Sequence, residues 1–71
     1  MKPGNLKHFA TGLRTAARYG VELDYRKRFR AAHKAGMVPQ EAAETALREA
    51  INAVNPRAAL GVTLTFKEGH S

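Results

Sequence analysis

A chain of 71 residues with no cysteine, and with twelve Lys and Arg against six Asp and Glu for a formal net charge of +6, makes one small domain with a modest core and no disulfide. Domains this small usually add a disulfide, a metal or a second subunit. His8, His33 and His70 lack the spacing of metal ligands, so no metal or cofactor is expected and self-association is the expected staple. No stretch nears the ~20 apolar residues of a membrane span, and the N-terminus lacks an apolar run of signal-peptide length. A cytoplasmic protein is expected.

In chain order, Pro3-Gly4 signals a loop and Asn5 is a competent N-cap, which predicts a first helix over residues 6–19. Leu6, Phe9, Ala10, Leu13 and Ala17 share one of its faces. Lys7, Thr11, Arg14 and Arg18 form a neighbouring stripe. An uninterrupted helix would then carry Tyr25, Phe29 and Ala32 on nearly the opposite side from Leu6, Phe9 and Leu13. The chain should therefore break or kink over residues 20–24, near Gly20, with Asp24 capping the next helix. Val21, Leu23 and Tyr25 also alternate with Glu22 and Asp24, the pattern of a short strand.

A second helix is predicted over residues 25–35, closed by Gly36 as a left-handed terminator. Pro39 suits the first position of a third helix, residues 39–55. There Ala43, Leu47, Ala50, Ile51 and Val54 share one face, Glu41 and Glu44 occupy the first turn, and Pro56 ends the element. The short connection Ala35–Val38 predicts an antiparallel hairpin. After a turn at Arg57 to Leu60, residues 61–66 alternate Val62, Leu64 and Phe66 with Thr63 and Thr65, the signature of a half-buried strand. Its expected partner is the Gly20–Tyr25 stretch, the same strand of a second copy, or a strand of another protein. Residues 67–71 form a tail. The fold class expected is a mainly α single small domain of two or three helices, with a helical hairpin and a short C-terminal β-strand.

No catalytic residue is expected. Ser71 is the only serine, cysteine is absent, and no glycine pattern matches a phosphate loop. Glu41 and Glu44 are explained by the first turn of a helix. The chain is expected to bind rather than to catalyse.

The segment DYRKRFRAAHK, residues 24–34, carries the main functional signal. On a helix Arg26, Lys27, Arg30 and Lys34 fall within about 100° of one another, Tyr25, Phe29 and Ala32 lie on the other side, and Arg28 lies past them. Solvated faces usually mix signs, yet Tyr25–Lys34 contains no acid. Up to residue 34 the chain has nine Lys and Arg against two acids; beyond it, three against four. Such a one-signed surface suits an anionic partner.

Nucleic acid is one candidate, since a basic helical stripe neutralises phosphates. A helix-turn-helix is disfavoured because Pro39, Glu41 and Glu44 stand where a recognition helix would begin. An anionic membrane surface is disfavoured by alanine-rich apolar faces without tryptophan. The favoured partner is an acidic surface of a larger protein, held through Arg14, Arg18, Tyr25, Arg26, Lys27, Arg30 and Lys34, because Arg and Tyr are enriched in binding hot spots. A small, pocketless chain would then act as an inhibitory or regulatory binder. Small phage and mobile-element proteins share this build in size and composition alone. The homodimer seam is expected at Leu47, Ile51 and Val54 or at Val62, Leu64 and Phe66.

Overall fold

The computed structural model describes residues 3–62, which form α1 (Pro3–Arg18), α2 (Glu22–Lys34), α3 (Pro39–Asn52) and the one-turn α4 (Pro56–Ala59). No helix among the described residues is long and apolar enough to cross a membrane. The chain is mainly helical, and the described residues contain no strand.

The break after α1 is made by backbone chemistry. Gly20 has φ +70, a left-handed conformation that glycine adopts at little cost. The Val21 N–H donates to the Ala16 carbonyl at 2.9 Å and the Gly20 N–H to Ala17 at 3.2 Å, the paired bonds of a Schellman terminator. Val21 and Ala16 are both buried, which supplies the apolar contact that accompanies this motif. α2 ends in the same way: Gly36 has φ +106, Met37 N–H donates to Ala32 and Gly36 N–H to His33, each at 3.1 Å.

Residues 20–24 are not a strand. Val21 is the N-cap of α2, and its carbonyl accepts from the Tyr25 N–H at 2.9 Å. Asp24 does not cap the helix. It lies within the first turn with Glu22, where acids interact favourably with the N-terminal dipole.

α3 begins at Pro39, as its missing N–H allows, but stops at Asn52, three residues before the expected end. Asn55 then caps α4, its side chain accepting from the Ala58 N–H. Of the expected strand over residues 61–66, residues 61 and 62 are described, and these two are not extended. The Gly61 N–H donates to the Ala58 carbonyl at 3.1 Å, so the turn of α4 carries on and delivers Val62, 1% exposed, into the core. Residues 63–66 lie outside the described residues.

α3 is the central element and packs against α1, α2 and α4. Its buried face is mostly small: Ala42, Ala43, Ala46 and Ala50 beside Leu47 and Ile51. Alanine lets helices approach closely, and the bulk comes from Tyr25, Phe9 and Phe29, with Val21, Ala59 and Val62 closing the cluster. The rings of Phe9 and Tyr25 stack with centroids 5.4 Å apart, and Phe9 and Phe29 meet at 4.9 Å. The rotation at Gly20 explains the apparent conflict of apolar faces: it turns the Tyr25–Phe29 side of α2 towards the Phe9–Leu13 side of α1.

Candidate cationic binding surface

At about 100° per residue, Arg26, Arg30, Lys34 and Lys27 share an arc of α2 that lies away from Tyr25, Phe29 and Ala32. All four are exposed. The arc forms because buried Tyr25 and half-buried Phe29 and Ala32 follow the helical period, which sends the intervening bases outward.

Apart from Glu22, exposed at the start of α2, the acids are placed elsewhere. Arg28 Nε donates to Asp24 Oδ2 at 2.9 Å, and Arg28 Nη1 reaches Glu49 Oε1 on α3 at 3.3 Å. The hydrogen bond from Arg28 to Asp24, followed by the charge of Asp24, holds the guanidinium above its ordinary pKa. Arg48 lies 3.7 Å from Glu44. Three of the five described acids thus serve Arg28 and Arg48. Among the described residues none of Arg26, Lys27, Arg30 and Lys34 makes an ion pair.

Arg14 and Arg18 are exposed on α1, with Lys7, on the side opposite Phe9, Gly12, Leu13 and Ala16. They form a second stripe on a separate helix. Tyr25 requires a correction. It is fully buried, its Oη donates to the Phe9 carbonyl at 2.9 Å, and burial pushes its phenol above the ordinary value. The residue that looked like a binding aromatic is the centre of the core, because the helical period places it with Phe29 rather than with the bases.

The expected dimer seam needs the same correction. Leu47, Ile51 and Val62 are at most 1% exposed within a single chain, so their apolar surface is already used. Val54 alone of the described seam residues is exposed, at 58%; Leu64 and Phe66 lie outside the described residues.

Leu23 is the surface residue that the sequence pattern did not single out. It is 76% exposed and falls on the basic arc, between Arg30 and Lys34 in angle and one turn before Arg26 and Lys27. Its spacing of three, four and seven residues from those bases was the signal available. Leu23 also borders an open cleft of about 400 Å³, formed by Gly20–Asp24 on one side and Ala50, Ala53 and Val54 on the other. Among the described residues no group of three or more acids and histidines could hold a metal. No protein-family model, curated protein or solved structure matches the chain.

Proposed function

We propose that this protein is a small non-enzymatic regulatory or inhibitory binder that acts in the cytoplasm. It covers an acidic surface of a larger protein with the outward face of α2, which α2 and α3 present as an antiparallel hairpin. The observation that carries this reading is the partition of charge. The fold directs acids onto Arg28 and Arg48 and leaves Arg26, Lys27, Arg30 and Lys34 side by side with no ion-pair partner among the described residues. An unpaired one-signed arc is favourable when something anionic meets it.

Protein is favoured over nucleic acid on two grounds. The arc contains an exposed leucine, and a phosphate backbone gains little from an apolar side chain. It also offers four cations, short of the roughly six to ten phosphate contacts of a salt-sensitive DNA binder, and the exposed Glu22 stands at its end.

The test is affinity capture from nuclease-treated lysate at about 150 mM salt. The wild-type chain should retain a polypeptide that Arg26→Glu/Arg30→Glu loses and Arg14→Glu/Arg18→Glu keeps. Capture that vanishes with nuclease treatment, or that survives reversal on α2, refutes the reading; the first outcome installs nucleic acid as the partner of the same stripe.

A further inference from the structure

We propose that the outward face of α2 and the cleft beside it receive one acidic amphipathic helix, with an apolar side chain seated between Leu23 and Val54 and carboxylates along its next turns facing Arg26, Arg30 and Lys34. The proposal rests on the reading of α2 as a docking face for protein and adds the chemistry and order of the occupant.

Leu23 joins two features that would otherwise be separate. It is one wall of the cleft and also a member of the basic arc. With a rise of 1.5 Å per residue, Arg26, Arg30 and Lys34 stand about 4.5, 10.5 and 16.5 Å along the axis from it. The face therefore reads apolar, basic, basic, basic over about three turns. A helix carrying an apolar residue followed by carboxylates at i+4, i+7 and i+11 presents the complementary series on one side.

The cleft is open on one side and does not enclose a free small molecule as a ligand pocket does. It does suit one side chain delivered by a segment that is held elsewhere. An extended peptide is a poorer occupant. The described residues offer no strand edge to pair with its backbone, whereas a helix satisfies its own.

Charge orders the occupant. Glu22 is exposed at the cleft, Asp24 is taken by Arg28, and bases follow. Acids are welcome beyond the anchor and unwelcome beside it, where a Lys or a neutral residue fits. A uniformly anionic polymer cannot meet that order without setting charge against Glu22.

The experiment uses the full chain and fluorescence anisotropy. The probe is an alanine-rich capped peptide about 20 residues long, so that it is helical, with Leu followed by Glu at i+4, i+7 and i+11. Its isomer has the leucine moved to the opposite face, and a DNA duplex of similar length is the competitor. The ordered peptide should bind at least about tenfold tighter than the isomer. Leu23→Ala and Val54→Ala, both at exposed positions and checked by circular dichroism, should each weaken it about three- to tenfold. Arg26→Glu/Arg30→Glu should weaken it about thirtyfold at low salt, through two lost attractions and two new repulsions. Equal binding of peptide and isomer, or no effect of Leu23→Ala, overturns the anchored helix; if charge reversal still weakens binding, the cationic docking face survives it. Silence of the charge reversal overturns both. Preference for the duplex overturns the proposal in favour of nucleic acid.

Discussion

Gly12→Ala is the substitution whose ordinary effect this structure should reverse. Gly12 lies inside α1 with no left-handed backbone, so adding a methyl group should stabilise the helix by about 1 kcal/mol. Here the new Cβ would meet Tyr25, coming within 2.6 Å of Cζ and 2.8 Å of Cε1 and closer still to Oη. The ring must move, but it is fully buried and stacked on Phe9. Sliding it within a packed core costs about 1–3 kcal/mol, and such short contacts put the cost at the upper end. Expelling it forfeits about 2–3 kcal/mol of burial and about 1 kcal/mol for the bond to the Phe9 carbonyl. After the helix gain is subtracted, the net is a destabilisation of about 2 kcal/mol. For a domain this small that lowers the Tm by roughly 8–16 °C. Urea denaturation and thermal melts followed by circular dichroism measure it. In a Tyr25→Phe background, where the nearest clashing atom is gone, Gly12→Ala should cost at least ~0.5 kcal/mol less. A Gly12→Ala chain that melts higher than wild type would refute the close seating of Tyr25 on α1.

Tyr25→Phe alone removes the bond to the Phe9 carbonyl and should cost about 1 kcal/mol near neutral pH. Burial raises the phenol's pKa, so the folded chain keeps its proton while the unfolded chain releases it near the ordinary value of about 10. That stability is fully present below about pH 10 and is lost as pH rises through the folded value; denaturation at stepped alkaline pH should show a flatter loss for Tyr25→Phe. Leu47→Ala and Ile51→Ala should each cost about 2–5 kcal/mol, with the same drop in Tm at low and high protein concentration. A drop that appears only at high concentration would restore these residues to a dimer seam. Arg28→Ala should lower stability more than Arg26→Ala does, and added salt should shrink the difference. Among the described residues Arg28 alone of the two is ion-paired, to Asp24 and to Glu49.

What could be read from the sequence was what local physics decides. A left-handed residue after a helix favours glycine, so Gly20 and Gly36 announce their terminators. Proline at a first helical position announces α3. The basic arc comes from counting residues at the helical period. Other features depended on contacts between distant residues. Val21 and Tyr25 are two residues either side of Leu23 in a strand reading and one turn apart in a helical one, and five residues cannot choose between them. The choice is made by the Schellman turn and by the pocket that Gly12 leaves for Tyr25. The alternation from Val62 onward falls almost wholly on residues outside the described ones; within them, Gly61 belongs to the turn that follows α4. Tyr25 stood among the bases in sequence but not in angle, and Leu23 stood among them in angle but fell in the stretch read as a break, a kink or a short strand.

The unpaired arc of α2 has a comparison inside the same chain. The outward side of α3 mixes Glu41, Glu44, Arg48 and Glu49, and its Arg48 is paired at i,i+4, as a merely solvated face should be. α2 has such a pair beside the arc, Asp24 with Arg28, but none along it: an acid at position 30 would stand i+4 from Arg26 and i−4 from Lys34. Arg30→Glu should therefore stabilise the isolated fold. The new carboxylate would lie N-terminal to Lys34, the better orientation, and each such pair contributes about 0.2–0.5 kcal/mol. The sum is about 0.5 kcal/mol, or roughly 2–4 °C in Tm, and it should fade with salt. The same substitution should abolish capture of the acidic partner. Higher stability with lost binding is the signature of charge retained for recognition. A lower Tm for Arg30→Glu would instead mean that Arg30 supports the fold itself, and the unpaired arc would cease to argue for a partner.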